Sequence, residues 1–122
     1  MTLQRTISPV DGSVYVERTL AGTAQIEAAL ENARLAQRMW RSAPMAERAA
    51  ILGRFCDAFE SRRDAIAEEL AWQMGRPIRY APNEVRGTLE RARHMIGIGP
   101  DALADIDVGR KDGFRRFLRR EP

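Results

Sequence analysis

The stretch that decides the fold is residues 44–77, PMAERAAILGRFCDAFESRRDAIAEELAWQMGRP. Its apolar side chains recur at alternating steps of four and three residues, interrupted only at Arg63. This spacing keeps one face of a helix apolar for about seven turns, so the pattern predicts one helix over about 44–74. The proline at its start and the Gly-Arg-Pro at its end are typical of helix boundaries. The predicted buried face comprises Met45, Ala49, Leu52, Cys56, Phe59, Ile66 and Leu70.

Two further helices are predicted on either side of this one. Thr23 is a candidate N-cap for a helix over about 23–40. A third helix is predicted over about 82–96, because Gly97, Gly99 and Pro100 disrupt the pattern beyond it. The apolar face of the first of these helices comprises Ile26, Leu30, Ala33 and Trp40, and that of the last comprises Val85, Leu89, Ala92 and Ile96.

Two short β elements complete the predicted architecture. Pro9-Val10-Asp11-Gly12 supplies a turn for a hairpin over about 7–20, and Lys111-Asp112-Gly113 supplies one for a terminal hairpin over about 105–120. The predicted fold class is therefore mainly α with small β elements, an α+β segment that is incomplete on its own. The chain also ends directly after its last predicted strand, which favours the front segment of a larger protein.

The composition limits the class of protein further. A chain of 122 residues is one domain or part of one, and 44% hydrophobic with 30% charged residues is ordinary for a soluble globular protein. No apolar run is long enough to cross a membrane, and the first residues lack the apolar core of a signal peptide. The one cysteine excludes an internal disulfide and fits a reducing compartment. These features predict a cytoplasmic protein with no membrane partner.

The basic character of the chain belongs to its tail. Residues 110–122 carry six basic groups against two acidic ones, a net charge of +4, whereas the preceding residues carry 14 basic and 15 acidic groups, a net charge of −1. Such a tail with Phe114 and Phe117 would suit a nucleic-acid stacking platform. Strand alternation, however, places Arg115 with Phe117 on one face and Phe114 with Arg116 on the other, which leaves no continuous basic stripe. An ordinary solvated strand is the favoured interpretation, and nucleic acid is not the favoured partner.

The chain offers two candidates for bond-making chemistry, and neither has a suitable setting. Cys56, the only cysteine, falls mid-helix on the apolar face between Leu52 and Phe59, which predicts inert core packing rather than a reactive thiolate. His94, the only histidine, falls about 180° from the apolar face of its helix, as expected of a solvated or interface histidine. One histidine and one cysteine on separate helices do not supply the three or four ligands of a metal site.

The acidic pairs and the glycines also do not indicate a catalytic or binding site. Glu68-Glu69 and Asp57 with Glu60 fall on helix faces among arginines, which predicts solvated ion pairs. Gly97-Ile98-Gly99-Pro100 follows a helix rather than a strand, so it lacks the context of a phosphate-binding loop. The sequence thus predicts no catalytic, cofactor-binding or metal-binding residue in this chain.

Taken in order, five short motifs resemble the N-terminal portion of the aldehyde dehydrogenase superfamily. Trp40, Pro44, Glu47-Arg48-Ala49 and Ile51-Leu52 together are similar to that family's W…P…ERA-x-I-L signature. Two motifs differ from the family pattern at one position each: Ser8-Pro9-Val10-Asp11-Gly12 resembles the family's Asn-Pro-x-x-Gly, and Gly75-Arg76-Pro77 resembles its G-K-P. The last two match it: Glu84-Val85 is the family's E-V pair, and Arg119-Arg120-Glu121-Pro122 is its R-R-E-P. The similarity covers essentially the whole chain.

The resemblance implies an enzyme that oxidises aldehydes to acids with NAD or NADP. In such enzymes a cysteine attacks the aldehyde, a glutamate activates water and an asparagine holds the oxyanion. All three positions lie beyond residue 122, and Cys56 does not match the catalytic cysteine's context. The family residues that carry over, Trp40, Pro44, Arg48 and Gly75, are expected to be structural.

Two functions follow as expectations. The favoured one is an N-terminal fragment of an aldehyde dehydrogenase, arising from a partial gene, a split reading frame or a deliberate truncation. Such a fragment would be inactive alone, would bind no cofactor by itself, and would associate with the remainder of the enzyme or with itself. The alternative is a non-catalytic helical module whose basic tail binds nucleic acid or an acidic partner.

Overall fold

The structure of the protein is a computed structural model, and it describes residues 2–120. Within these residues, short strand pairs precede and follow a run of helices. The elements are β1 (Leu3–Ile7), β2 (Val14–Thr19), α1 (Thr23–Ser42), α2 (Met45–Ser61), α3 (Arg63–Met74), α4 (Ala81–Ala102), β3 (Ile106–Asp107) and β4 (Phe117–Leu118). β1 pairs with β2 and β3 pairs with β4, both antiparallel. The predicted fold class, mainly α with small β elements, is confirmed.

The core lies where α4 packs against both α2 and α3. Cys56 of α2 and Val85 of α4 are 1% exposed, and Leu89 of α4 is 4% exposed. Half-buried apolar side chains surround this cluster; they are Phe59, Ile66, Ala92 and Ile96. These residues belong to the apolar stripes read from the sequence, so their burial supplies the main drive for assembling the three helices.

The single helix predicted over 44–74 is wrong, because the chain breaks at Arg62. This residue adopts φ −101° and ψ 12°, and its N–H donates to the carbonyl of Phe59 at 3.2 Å, a tight three-residue turn. The Ser61 hydroxyl also donates to the Ala58 carbonyl at 2.8 Å, a local bond that competes with the helical ladder. The interruption of the apolar stripe at Arg63 marked this point. In α3, which follows the break, Ala67 is buried as well.

The predicted end of the helix over 82–96 is also wrong. α4 begins at Ala81 and continues through Gly97, Gly99 and Pro100 to Ala102. Pro100 has no N–H to donate to the Ile96 carbonyl, so it removes one helical hydrogen bond, and because it lies two residues before the end of α4 it affects only the last turn. The helix then ends with the N–H of Leu103 donating to the Gly99 carbonyl at 3.0 Å.

The N-terminal hairpin begins earlier than the predicted residue 7. Its strands pair from Leu3 opposite Thr19 to Ile7 opposite Val14, with a register shift after Thr6. The alternation in β1 is too weak to signal a strand, since almost all of its side chains remain exposed. The predicted turn after Ile7 is present, with Gly12 at φ +77°.

At its turn, the hairpin is fixed to the end of α3. The buried Ser8 hydroxyl donates to the Trp72 carbonyl at 2.7 Å and accepts from the Val10 N–H at 3.2 Å. Gly75 ends α3 at φ +69°, and a Cβ there would lie 3.0 Å from Cγ of Pro9. Glycine is therefore required at 75 both by the left-handed backbone and by the close approach of the hairpin.

The structure also differs from the prediction at the start of α1 and in the terminal hairpin. Gly22 rather than Thr23 precedes the first turn of α1, and its N–H donates to Oε1 of Gln25 at 3.0 Å. The terminal hairpin over 105–120 is less regular than predicted. Its paired residues are Ile106 with Leu118 and Asp107 with Phe117, with an isolated bridge between Lys111 and Phe114. Glu121 and Pro122, the end of the R-R-E-P motif, lie outside the described residues.

We expect Leu89→Ala to lower the free energy of unfolding by about 2–5 kcal/mol, because it leaves a cavity in the core. Leu30→Ala on α1 makes the same chemical change at a side chain that is 53% exposed, and should change stability by less than about 0.5 kcal/mol. Urea denaturation followed by far-ultraviolet circular dichroism measures both values. Equal losses for the two variants would contradict the assignment of the core.

Acid should weaken the contact between α2 and α4. The guanidinium of Arg93 donates to Oε2 of Glu60 at 2.6 Å and lowers the pKa of that carboxyl. A lowered folded pKa means that this contribution is complete above the unfolded pKa of glutamate and is lost as the pH falls through the folded pKa. Arg93→Met should therefore flatten the acid limb of the stability profile slightly, whereas Arg91→Met on the same helix should not. An unchanged acid limb for Arg93→Met would show that this exposed pair is fully screened.

Candidate functional site

An apolar groove lies between α2 and α4, beside the end of α1. It encloses about 390 Å3. We call it the α2–α4 groove and define it by Trp40, Leu52, Phe55, Met95, Ile96 and Leu103. Phe55 and Met95 are more than half exposed. The groove has the character of a packing surface, because its lining offers apolar area rather than converging polar groups.

One arginine sets the geometry at the end of this groove. Arg48 donates from Nε to the Ala43 carbonyl at 2.9 Å and from Nη2 to the Arg41 carbonyl at 3.0 Å. Its guanidinium also lies 5.9 Å from the centre of the Trp40 ring. The last carbonyls of a helix lack intrahelical partners, and a cation there is favoured by the helix dipole. Arg48 therefore joins the start of α2 to the end of α1, which gives Arg48 and Trp40 of the motif a structural role.

The two candidates for catalysis lie in opposite environments. Cys56 is buried in the core beside Val85 and Leu89. His94 lies on the exposed side of α4, next to Arg93, which faces α2. A nucleophile and its base must be within hydrogen-bond reach of one another. The structure does not bring these two residues together.

The carboxylates and the glycines also do not form a site. Asp57 and Glu60 both form ion pairs with Arg93: their carboxylate oxygens lie 3.5 and 2.6 Å from its Nη2. Glu68 and Glu69 are exposed on α3. Among residues 2–120, no three histidine, cysteine or acidic side chains are placed to hold a metal ion. Gly97-Ile98-Gly99-Pro100 is helical, so its backbone N–H groups do not form a phosphate-binding loop.

Within the described part of the chain, no helix has the length and apolar character needed to cross a membrane.

The basic tail uses several of its charges internally. Arg119 pairs with Asp105 at 3.3 Å, and the guanidinium of Arg116 lies 3.3 Å from the Gly109 carbonyl. Arg120 donates to the Ala102 carbonyl at the end of α4. The guanidiniums of Arg115 and Arg119 lie 5.0 and 4.9 Å from the centre of the Phe117 ring. That ring is thus already stacked by cations, which disfavours its use as a platform for a base.

Sequence reasoning missed the contacts that join the motifs. Ser8 and Pro9 lie in the hairpin turn, yet they contact Trp72 and Gly75 more than sixty residues later. The Arg48 contact with the end of α1 was also missed. Both involve backbone carbonyls or a glycine, which leave no mark in apolar periodicity. The only available signal was the resemblance to the family motifs at residues 8–12, at Arg48 and at Gly75.

Comparison with known proteins agrees with this arrangement. The model of the aldehyde dehydrogenase family matches residues 2–122, and the chain belongs to that family. N-succinylglutamate 5-semialdehyde dehydrogenase 1 of Caulobacter vibrioides is 35% identical over 98% of this chain and 26% of its own length. Fluoroacetaldehyde dehydrogenase of Streptantibioticus cattleyicolor is 39% identical over 61% of this chain and 15% of its own length.

The fold of this chain is also similar to that of a solved aldehyde dehydrogenase structure. The NAD-dependent benzaldehyde dehydrogenase of Corynebacterium glutamicum superposes with a TM-score of 0.81 at 28% identity, covering 92% of this chain and 24% of that one. The chain therefore spans about a quarter or less of the length of these relatives. The resemblance drawn from five motifs is confirmed over the whole chain, and the match corresponds to an N-terminal segment of the family.

We expect Cys56 to react slowly with a thiol reagent while the protein is folded, because its sulfur is buried and thiolate formation needs an exposed, electropositive setting. Unfolding in guanidinium should accelerate labelling by at least about 100-fold, as for a group protected by the folded core. A control with Met39→Cys in a Cys56→Ala background places the thiol on an exposed position of α1 and should label rapidly without denaturant. Labelling of native Cys56 at the control rate would contradict the core assignment.

Proposed function

We propose that this chain is the N-terminal structural segment of an NAD(P)-dependent aldehyde dehydrogenase. In the intact enzyme an aldehyde would be oxidised to a carboxylic acid, with NAD or NADP as the hydride acceptor. The observation that carries this proposal is the family match over residues 2–122, which takes in both hairpins and all four helices. A related protein of this fold is described as NAD-dependent, which supports the cofactor class.

The segment itself is proposed to be inactive and to bind no nicotinamide cofactor alone. This part of the proposal is supported by the burial of Cys56 and by its separation from His94. It also agrees with the helical conformation of the glycines at 97 and 99, which leaves them unsuited to hold phosphates.

Its role would be to supply packing surface to the remainder of the enzyme. Apolar side chains of the α2–α4 groove and of α1 are exposed in the chain by itself, and neighbouring exposed apolar side chains are typical of a surface that packs against another part of a protein. The reducing setting implied by a single cysteine supports a cytoplasmic location.

The alternative, a module whose basic tail binds nucleic acid or an acidic partner, has less support. Arg116, Arg119 and Arg120 are engaged by carbonyls or by Asp105. Using them for phosphates would require these contacts to be broken first.

Two measurements test the proposal. Purified chain with aldehydes and NAD or NADP should give no growth of absorbance at the reduced-nicotinamide band, and calorimetric titration of either cofactor should give no binding heat. Aldehyde turnover that is abolished by Cys56→Ser would overturn the proposed inactivity.

A chimera tests the structural role directly. Replacing the matching segment of the Caulobacter vibrioides relative by this chain should give a folded enzyme that retains aldehyde-dependent formation of reduced cofactor. The same chimera with Leu89→Asp, which buries a carboxylate in the core, should lose at least about 100-fold in yield of active enzyme. A folded chimera with no activity would argue that this segment does not fit an aldehyde dehydrogenase.

A further inference from the structure

The strands of the N-terminal hairpin bury little of their surface. Thr6 and Val16 are half-buried and pair with each other, and every other side chain of β1 and β2 is exposed. Side-chain hydrogen bonds of the strands join one strand to the other, as between Arg5 and Glu17. Within residues 2–120, neither strand makes an extensive contact with a helix. A two-stranded hairpin is marginally stable by itself in water, so this hairpin depends on its attachment to the helices.

The attachment lies at the turn of the hairpin. Ser8 is 0% exposed, and its hydroxyl bonds both the Trp72 carbonyl and the Val10 N–H. Pro9 approaches Gly75 so closely that a Cβ at position 75 would lie 3.0 Å from its Cγ. We call these contacts the Ser8 latch and define it by Ser8, Pro9, Trp72 and Gly75. Because a buried polar group is costly to leave unpaired, the hydroxyl is the strongest part of this attachment.

The surface beside the Ser8 latch is loosely packed. An open hollow of about 610 Å3 lies there, lined in part by Val10, Trp72 and Ile78. Val10 and Ile78 are 57% and 60% exposed. The core cluster around Cys56 belongs to α2 and α4 and includes no side chain of the hairpin. Little apolar contact would therefore hold the turn on α3 once the latch is broken.

We propose that the hairpin over residues 2–20 opens as a separate unit, released from α3 at the Ser8 latch while the core of α2, α3 and α4 stays folded. Regions with few buried apolar contacts open locally at a smaller free energy than the core. The carbonyl of Trp72 belongs to the last turn of α3, where carbonyls lack helical partners, so opening the latch leaves the helical hydrogen bonds intact. This inference concerns the chain by itself and does not rest on the proposed function.

Amide hydrogen exchange measured by NMR on the unaltered 122-residue chain tests the proposal. The hairpin amide of Leu20, which donates to the Thr2 carbonyl, should be protected at least about 10-fold less than the core amides of Cys56 and Leu89. Low concentrations of urea should accelerate exchange in the core but barely change it in the hairpin, because opening the hairpin exposes little surface. Equal protection and equal urea dependence of the two regions would overturn the proposal.

Substitutions in the turn test the latch itself. Ser8→Ala removes both hydrogen bonds and should accelerate hairpin exchange at least about 10-fold while core exchange stays within about threefold. Ser13→Ala makes the same change at an exposed hydroxyl of the same turn, one that bonds Asp11, and should leave both regions within about threefold.

Ser8→Asn retains a donor and an acceptor at the latch, so its hairpin should exchange more slowly than that of Ser8→Ala. Acceleration of hairpin and core by the same factor in Ser8→Ala would show that the turn unfolds together with the core. No acceleration in either region would show that the hydroxyl does not hold the hairpin. Either result would overturn the proposal, and neither would bear on the proposed function, which the chimera tests separately.

Discussion

The structure depends on one contact, the packing of α4 across α2 and α3. Cys56, Val85 and Leu89 are the side chains that this contact removes from water almost completely. Everything else is attached to the edges of that cluster: the N-terminal hairpin to the end of α3, α1 to the start of α2, and the terminal hairpin to the end of α4. Because the cluster is small, the chain has little apolar burial with which to offset the conformational entropy of its exposed parts.

Three polar contacts turn this small core into a defined arrangement. Ser8 bonds the Trp72 carbonyl, Arg48 bonds carbonyls at the end of α1, and Arg93 joins α4 to α2 through Glu60. The first two use backbone acceptors that would otherwise lack partners, and therefore they fix positions more than they add energy. The motifs at Ser8 and Arg48 therefore have a structural role in this chain.

Apolar periodicity correctly marked Cys56, Val85 and Leu89 as core positions, because it reports which side of a helix is apolar. It also marked Leu52 and the apolar side of α1, which remain exposed in this chain. It failed where the outcome depended on single backbone positions. The break at Arg62 coincides with a local hydrogen bond of Ser61, and α4 continues through Gly99 and Pro100 to Ala102 although Pro100 has no N–H for the helical ladder. The contacts of Ser8 and Arg48 link distant residues through carbonyls, and no single-sequence pattern encodes such a pairing. The family motifs marked these residues without giving the reason.

The bond from Ser8 to Trp72 constrains sequence variation on one side only. The acceptor is a main-chain carbonyl, so the side chain at position 72 can change without breaking it. At position 8 the side chain must both donate to that carbonyl and accept from the Val10 N–H, in a site with no room for solvent. Serine meets both demands with one hydroxyl, and asparagine, the residue of the related family motif, can meet them with its amide nitrogen and oxygen. Exchange between these two residues is thus permitted by hydrogen-bonding capacity, whereas alanine or valine would remove both hydrogen bonds and leave the Trp72 carbonyl and the Val10 N–H without these partners.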